Sequence, residues 1–473
     1  MNQPLSIARL PAVLYAPDGT RRVDYRAVLS LAWPLFLNTS IQAALNLTDT
    51  WFLGQVSSTA LAAVGAIFFL VLVFVVLLGG VGQAVQTTAA QAYGAGSKPR
   101  AASFAWNGLW ASIVTAPLFV LLGLVGNPIM SPFGLAPEVQ ASAAEYWFPR
   151  LAMGWLGTAL WALAGFFNGV GRTRLTLIVA VLVGVSNAAL NQLMIFELNL
   201  GVAGAAWATG IAQLIGVLAY IAIMLTRTFH GEYRTRHTLR PRLSRITALF
   251  LLGVPMGMAA TADLTAFAFF QLMLARLGTV EAAASQVVMM LTSVAYMPAI
   301  GIALAGTTLV GQSIGAGDKD WAKRTGSATI KLAVLHMAGL GVMLALLGPW
   351  LLPLFTADGD PRAAEMLALG TTLLWIAAGY QLFDALNLGA AFCLRGAGEV
   401  KFPAVLLLLL AWGVFVPAVH MLTFAEGEGL VHFLPQFGLG AKGAWYAALG
   451  YMTVLGTALS LRWASGAWKK INL

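Results

Sequence analysis

Charged residues are scarce in this chain of 473 amino acids. Lys, Arg, Asp and Glu together make up 10% of it, and 59% of the residues are hydrophobic, whereas soluble domains carry roughly 25% charged residues. That shortage excludes a water-soluble globular protein. Apolar runs of about 20 residues recur along the chain instead, and each is long enough to cross a roughly 30 Å hydrocarbon core as a helix.

Cysteine and catalytic motifs are also scarce. The one cysteine, Cys393, cannot form an intrachain disulfide, and we expect a small buried side chain there. His336 and His420 fall in separate apolar runs without an H-E-x-x-H pair, and the chain has no G-x-x-x-x-G-K-[ST] phosphate-binding loop. The chain is therefore predicted not to be an enzyme and not to contain an ATPase. A channel, which needs no chemistry, stays open as an alternative.

Twelve apolar runs are predicted to be transmembrane helices of an all-α polytopic membrane protein. They cover residues 28–54, 59–84, 101–124, 142–167, 173–196, 202–226, 246–275, 281–310, 326–354, 366–394, 402–423 and 440–463. Basic residues concentrate before the first run, after the second and fourth, and in the 227–245 connection. The positive-inside rule places these segments and both termini in the cytoplasm. The net charge of +9 is assigned to these segments, so no nucleic-acid partner is expected.

The chain contains an internal repeat. Pro34 and Pro255 lie 221 residues apart, and the same offset aligns Gln91-Ala-Tyr-Gly-Ala-Gly96 with Gln312-Ser-Ile-Gly-Ala-Gly317. At an offset of 227, Asn168-Gly-Val-Gly171 aligns with Arg395-Gly-Ala-Gly398. We therefore predict two six-helix repeats around a central cavity. The predicted divisions are a tail at 1–26, bundles at 27–226 and 246–465 joined by the basic linker 227–245, and a tail at 466–473.

Three aspartates fall inside predicted helices: Asp49, Asp263 and Asp384. An aspartate at mid-helix costs roughly 2.5–3.5 kcal/mol on insertion scales, so each should face protein or water and be neutralised by a cation. No Lys or Arg is predicted at comparable depth. An acid without a fixed partner can exchange one mobile cation for another, which is the minimum chemistry of an antiporter. The alternatives are a permanently protonated acid or, for Asp49 near Gly54, a side chain that reaches water.

Asp384 has oxygen-bearing neighbours on its own helical face. Tyr380 lies one turn before it and Asn387 three residues after it. A hydroxyl, a carboxylate and an amide are suitable ligands for a hard monovalent cation. We predict a cation-coupling site at Asp384, Tyr380, Asn387 and Asp263, with Asp263 and Asp384 as the two carboxylates that hold either Na⁺ or a shared proton.

A polar stripe runs along the first predicted helix and ends at Asp49. Its other members are Asn38, Gln42 and Asn46, and the fifth helix adds Asn187 and Asn191. We predict that Asp49, Asn46, Gln42, Asn187 and Asn191 handle protons or contact substrate, although plain interhelical hydrogen bonding explains the two helix-5 asparagines equally well. Pro34 and Pro255 free backbone carbonyls in their helices, and they are predicted hinges or tolerated kinks.

Taken together, these segments resemble the multidrug and toxic compound extrusion (MATE) family, specifically its NorM-like branch. The resemblance is carried by Trp33-Pro34, Asn46-Leu-Thr-Asp49-Thr50, Ala60-Leu-Ala-Ala-Val-Gly65, Gly253-Val-Pro255, Tyr380-Gln-Leu-Phe-Asp384 and Leu394-Arg-Gly396. It implies a V-shaped inner-membrane exporter that uses alternating access to exchange Na⁺ or H⁺ for cationic amphipathic drugs. NorM-like proteins commonly carry glutamate in helix 7, where this chain has Asp263, so the coupling ion stays open.

The expected partners are small organic cations and membrane lipids, with no cofactor beyond Na⁺ or H⁺ as coupling ion, and we expect the protein to function as a monomer. Two other substrate classes suit the same architecture: a lipid-linked precursor carried by a flippase, and a non-drug metabolite carried by an exporter. A flippase cavity should be cationic in order to hold pyrophosphate, whereas this chain offers acids. A non-transporting receptor has no use for three unpaired acids.

Overall fold

The computed structural model describes residues 10–356 and 361–471. Within this part the chain is almost entirely α-helical, with two halves of six membrane-spanning segments and a cavity lined mostly by the second half. Helices dominate because a backbone surrounded by lipid must satisfy its N–H and C=O groups internally. The outermost residues of the two predicted tails, 1–9 and 472–473, lie outside the described residues.

The first half contains eight helices. They are α1 (Tyr25–Val56), α2 (Ser58–Gly94), α3 (Lys98–Leu124), the short α4 (Gly126–Met130), α5 (Pro137–Ala152), α6 (Gly154–Gly169), α7 (Thr173–Asn191) and α8 (Gly201–Leu225). A short helix, α9 (Arg227–Tyr233), lies in the connection between the halves. The second half consists of α10 (Leu243–Leu277), α11 (Thr279–Gly315), α12 (Lys319–Leu351), α13 (Ala363–Gly396), α14 (Lys401–Leu410), α15 (Val416–Thr423) and α16 (Gly440–Ser465).

The twelve predicted runs coincide with twelve spans, with differences in three of them. The run at 142–167 is α5 and α6 together, bent by 41°. Pro149 removes a backbone donor just before the bend, and Gly154 lets α6 approach the Phe119 ring. The fifth run ends in a π-helical segment at Gln192–Glu197, and the eleventh is α14 and α15 joined by π-helical turns at Ala411–Phe415.

The internal repeat is visible in the backbone. Gly96 and Gly317, matched at the offset of 221, both have positive φ, +74° and +85°. Gly171 and Gly398, matched at 227, have +78° and +85°. Each pair ends a helix in the left-handed conformation that glycine adopts without steric cost. The halves therefore turn between corresponding helices in the same way.

Glycines let the two halves approach closely along their long helices. Where α2 crosses α10, a Cβ on Gly80 would lie 2.3 Å from the Gly253 carbonyl oxygen, and one on Gly257 would lie 2.0 Å from the Leu77 oxygen. Close backbone contact of this kind, through small residues, is the usual packing of helices in lipid. Pro255 lies between Gly253 and Gly257 within α10, so this crossing includes one of the two predicted hinges.

The segments that precede α1 and α10 each dock on the opposite half. Strands β1 (Val13–Tyr15) and β2 (Arg21–Val23) form an antiparallel hairpin before α1. The hairpin lies against α12, where the Trp321 indole donates to the Pro11 oxygen (2.9 Å). The connection before α10 lies against α3, where the Trp106 indole donates to the Thr235 oxygen (3.0 Å). The segment that the sequence predicts as a polar tail therefore contains a β-hairpin docked on α12.

Arg21 and Asp318 fix the hairpin at its second contact, with 2.6 Å between the guanidinium nitrogen and the carboxylate oxygen. Partial burial of Asp318 opposes ionisation, but the Trp321 N–H and the Arg21 guanidinium outweigh it and lower the pKa of this carboxyl. The end of the bundle that carries this hairpin, Lys98, Arg172 and the 227–245 connection is called the basic end below.

Candidate functional site

A cavity of about 550 Å³ lies within the second half and reaches α2 of the first half. Asp263 from α10 and Asp384 from α13 both line it, as do Tyr380 and Asn387, so the four residues predicted as the cation-coupling site come together. Among the described residues that line this cavity, none is Lys, Arg or His. The two carboxylates are therefore its formal charges, and they lie close enough to interact electrostatically. We call this the acid-pair cavity.

Asp384 is the more buried acid of the pair, with 5% of its surface exposed. Its Oδ1 accepts a hydrogen bond from Asn387 Nδ2 at 3.3 Å. The bond forms because residues three apart on a helix share a face. Tyr380, one turn earlier on α13, lies within electrostatic reach of both Asp384 and Asp263.

Asp263 receives its hydrogen bond from another helix. The Tyr451 hydroxyl of α16 donates to Asp263 Oδ1 at 3.4 Å, which is a long contact. Tyr296 of α11 interacts electrostatically with both acids. Asp263 thus has one weak neutral donor, and its charge is balanced by no fixed cation within the described lining.

Aromatic rings form much of the remaining wall. Phe415 stacks on Tyr451 with ring centroids 4.7 Å apart, and Trp445 meets Tyr380 edge to face at 6.5 Å. Ring faces next to carboxylates attract organic cations through both the ring quadrupole and the full charge. The cavity combines the two groups that such a cation requires.

The oxygen atoms around the acid pair fit a hard monovalent cation. Two carboxylates, two side-chain amides and three tyrosine hydroxyls line the cavity, and oxygen donors of these kinds suit hard cations. The described residues contain no cluster of three or more His, Cys, Asp or Glu that could hold a metal ion. The donor set therefore suits a weakly bound, exchangeable ion better than a transition metal.

Asp49 lies in a second polar cluster, in the first half. Its Oδ1 accepts from Asn191 Nδ2 at 2.6 Å, and its Oδ2 accepts from the Thr209 hydroxyl at 3.3 Å. Asn191 also donates to Asn187 Oδ1 at 3.3 Å. We call Asp49, Asn187, Asn191 and Thr209 the Asp49 cluster. Both asparagines are buried, with 2% and 0% exposure, so helices α1, α7 and α8 join through these bonds.

The prediction that no basic residue lies at the depth of the intramembrane acids is wrong for Asp49. Arg150 of α5 interacts electrostatically with Asp49 and hydrogen-bonds Tyr146. Arg150 lies inside the predicted run 142–167, three residues before the bend at Met153, but only helix packing brings it within electrostatic reach of Asp49. Asp49 therefore differs from the acid pair in having a cationic neighbour.

The remaining predicted site residues do not join either cluster. Gln42 and Asn46 continue the polar stripe of α1, but both side chains are exposed. Pro34 is buried within α1, and Pro255 is half-buried within α10. Nothing in their positions separates a hinge from a tolerated kink.

Three residues of the two sites carry no signal in the sequence. Tyr296 and Tyr451 reach the acid pair from α11 and α16, and Thr209 reaches Asp49 from α8. None lies within three or four residues of an acid on its own helix, so spacing along one helix cannot find it. Their contacts depend on how the helices pack.

A nucleophile motif in α11 has a structural explanation. The sequence contains one match to the G-x-S-x-G spacing of a hydrolase nucleophile elbow, at Gly311-Gln-Ser-Ile-Gly315. Ser313 is fully buried two residues before the end of α11 and donates to the Leu309 oxygen at 2.6 Å. Its hydroxyl is not presented to a substrate, so hydrolysis is unsupported here too.

Reciprocal hydrogen bonds join the two halves at the basic end. Thr87 and Gln91 of α2 donate to the Arg395 and Gly396 oxygens at the end of α13, both at 3.0 Å. At the matched repeat positions, Thr308 donates to the Asn168 oxygen at 3.0 Å, and Gln312 donates to the Gly169 oxygen at 2.8 Å. These bonds satisfy carbonyls of helix ends, which lack intrahelical donors. We call the four bonds the seal.

Glycines make the seal close. A Cβ on Gly94 would lie 2.0 Å from the Gln312 oxygen, and one on the matched Gly315 would lie 2.0 Å from the Gln91 oxygen. No larger residue fits at either position without moving α2 from α11. The repeat motif found in the sequence is thus the contact between the halves.

Comparison with known proteins gives concordant matches. The family model described as MatE matches residues 34–193 and 255–419, which begin at Pro34 and at Pro255. The chain is 30% identical over 449 residues to "Probable multidrug resistance protein NorM" of Rhizobium meliloti (strain 1021), covering 91% of this chain and 94% of that protein. It is 31% identical over 441 residues to "Multidrug resistance protein NorM" of Burkholderia vietnamiensis, covering 90% and 91%.

Solved structures share the fold. "Crystal structure of MATE in complex with MaL6" superposes with a TM-score of 0.82 at 19% identity, covering all of both chains. "Crystal structure of MATE in the straight conformation" superposes with a TM-score of 0.80 at 21% identity, covering 94% of this chain and 96% of that one.

Proposed function

The chain belongs to the MATE family of membrane transporters, and we propose that it is a secondary multidrug exporter that exchanges Na⁺ or H⁺ for cationic amphipathic compounds. One observation carries the proposal: two carboxylates share an aromatic cavity whose described lining has no basic residue. Charges this far from water need neutralisation. A mobile cation would supply the positive charge that these two carboxylates need.

The exchange of Na⁺ or H⁺ for an organic cation follows from this unbalanced negative charge. With Na⁺ or a proton on the acid pair, the cavity is closer to neutral and has little attraction for a cationic drug. Loss of the ion restores negative charge beside Tyr380, Trp445 and Phe415, and the organic cation then binds. Because the two cations compete for the same carboxylates, their binding is antagonistic, and the linkage is reciprocal. This antagonism is what couples the gradient to export.

We propose alternating access across the seal. The seal holds the halves together at the basic end, so an inward-open state requires breaking its four bonds and separating α2 from α11. We further propose that the basic end faces the cytoplasm of an inner membrane, because its cations follow the positive-inside rule. The protein would then function as a monomer, because the acid-pair cavity is lined by residues of this one chain.

Two other substrates are tested by the same experiment. A lipid-linked pyrophosphate precursor needs a cationic cavity, and the acid pair disfavours it. A cationic metabolite would suit the cavity as well as a drug. The observation that distinguishes them is which compounds drive counterflow.

Counterflow in proteoliposomes tests the proposal. Vesicles containing the purified chain are loaded with ethidium, and Na⁺ and H⁺ gradients are imposed separately. We expect one gradient, or both, to drive ethidium against its own gradient, and Asp384→Asn to prevent this. Ethidium movement that ignores both gradients would reject antiport, and uphill export of pyrophosphate lipids alone would favour the flippase.

A further inference from the structure

A basic groove lies outside the transport cavity, between the N-terminal hairpin and α12 at the basic end. Its volume is about 940 Å³. Five cations line it: Arg21, Arg22, Lys323, Arg324 and Lys331. The single acid among its lining residues is Asp320, whose carboxylate pairs with Lys469 at 2.5 Å. The groove therefore carries a strong net positive charge.

Some of these cations are already occupied and others are not. Arg21 pairs with Asp318, and Lys323 Nζ donates to the Ala464 oxygen at 2.6 Å. Arg324 uses one nitrogen to donate to the Arg21 oxygen at 3.3 Å. The side chains of Arg22 and Lys331 are exposed and have no hydrogen bond or ion pair within 10–356 and 361–471. Unused donors of three side chains converge on one groove.

The depth of Lys331 separates it from ordinary loop charge. It lies inside the membrane-spanning helix α12, twelve residues after Lys319, where the helix begins. Ala333, two residues further on, packs in the same buried cluster as Ala32 of α1. Lys331 is therefore level with the first two turns of α1. That is the depth expected of a lipid phosphate at the membrane interface.

An apolar track continues from the groove into the membrane. Leu335 lies one turn beyond Lys331 on the same face of α12 and is 74% exposed. Val342 and Leu346 extend that face, and Leu29 of α1 lies one turn beyond Tyr25, which lines the groove. A basic pocket that opens onto exposed apolar helix faces matches the two ends of a phospholipid.

The geometry points to a binding site for an anionic phospholipid, with its headgroup phosphate held by Arg22, Arg324 and Lys331 and its acyl chains along Leu335 and Leu29. A free phosphate shares the headgroup chemistry but has no use for the apolar track, so we assign the lipid. The hairpin supplies Arg22, and the Asp318–Arg21 contact holds that hairpin on α12. The bound lipid would bridge the N-terminal segment and the second half of the protein.

Lipid retention by the purified full-length chain tests this assignment. Native mass spectrometry in detergent compares dioleoyl phosphatidylglycerol with dioleoyl phosphatidylcholine, which has the same chains and no net charge. We expect preferential retention of phosphatidylglycerol, weakened by salt. Each of Arg22→Gln, Arg324→Gln and Lys331→Gln should lower its affinity about fivefold, since a basic residue near an anionic membrane surface contributes about 1 kcal/mol.

Two controls keep the test decisive. Arg174→Gln removes an exposed cation at the start of α7, outside the groove, and should retain the lipid as the parent does. Lys331→Arg keeps the charge and should also bind. Equal retention of the two lipids, or unchanged retention in all three glutamine variants, would overturn the site. If glycerol phosphate displaced the lipid at equal concentration, the groove would be a soluble-anion site and the lipid assignment would be wrong.

Discussion

The acids of the two halves are in opposite situations. In the first half, Asp49 accepts from Asn191 and Thr209 and interacts with Arg150, so fixed groups offset part of the cost of burying its charge. In the second half, Asp263 and Asp384 share a cavity, with one long hydrogen bond each and no cation in the described lining. The difference indicates where a mobile ion is needed most.

The two repeats therefore share a fold but differ in the surroundings of their buried acids. The seal keeps the repeat symmetry bond for bond, because both halves contribute matched Thr and Gln side chains. The polar clusters do not keep it. The contact between the halves is symmetric, whereas the proposed ion coupling needs one site whose charge is not balanced by fixed groups.

The largest effect is expected from Asp384→Asn. It removes the more buried charge of the pair while keeping the side-chain shape, so the protein should fold and still bind Asn387 through its amide. We expect gradient-driven ethidium export to fall by at least about tenfold, a typical allosteric coupling. The measurement is uphill transport in proteoliposomes, matched for the amount of folded protein. Normal export would place coupling outside the acid pair.

Asp263 should follow closely. Asp263→Asn is expected to reduce gradient-driven export nearly as much as Asp384→Asn, because either change leaves one carboxylate to bind the ion. Asp263→Glu keeps the charge but lengthens the side chain, and it should retain part of the activity. Full activity in both variants would show that Asp263 is only structural. Tyr451→Phe, which removes the hydroxyl alone, should lower gradient-driven export about threefold.

A smaller effect on ion coupling is expected from Asp49→Asn. Its fixed partners leave less need for a mobile cation, and its role is predicted to be proton handling or substrate contact. If so, an arriving organic cation favours the charged carboxylate, and drug affinity in the parent should tighten as the pH rises. Binding titrations across pH in parent and Asp49→Asn check this. An unchanged pH profile in the variant would remove Asp49 from that role.

The effect expected at the seal is a modest one on conformation rather than on ion coupling. Gln91→Leu and Gln312→Leu each remove one hydrogen bond between the halves, worth about 1 kcal/mol, which is roughly a fivefold shift in the closed-to-open ratio. Hydrogen–deuterium exchange of residues 85–96 and 306–317 measures the shift. The two variants should behave alike because the repeat relates them.

Thr453→Val is the matched control for the seal, since Thr453 donates within its own helix to the Leu449 oxygen. It should leave exchange in both segments unchanged. Clearly unequal effects of the two glutamine variants would mean that the seal is not functionally symmetric, whatever its geometry.

The sequence predicts the membrane spans, the internal repeat and four of the residues that line the acid-pair cavity. Apolar run length defines a membrane helix directly, and Asn387 was predictable beside Asp384 because they share a helical face. Tyr296 and Tyr451 were not, because they arrive from other helices. Arg150 stands inside the predicted run 142–167, but its proximity to Asp49 depends on how the bent α5–α6 pair packs.

The hydrogen bonds around Asn191 give a second example of contacts that the sequence does not predict. Spacing alone made structural bonding and a transport role equally acceptable for Asn187 and Asn191. Packing shows that both belong to the Asp49 cluster, through Thr209 of a third helix. Contacts between helices far apart in the chain are set by packing, which a single-sequence pattern does not encode.

Competition binding in an Asp49→Asn background tests the central claim most directly, because it isolates the acid pair. Ethidium affinity is titrated against Na⁺ at fixed pH, and against pH without Na⁺. The account predicts that at least one of these cations weakens ethidium binding in proportion to its occupancy, and that adding Asp263→Asn or Asp384→Asn abolishes the competition. Ethidium affinity that is independent of both Na⁺ and pH, with both carboxylates intact, would contradict it.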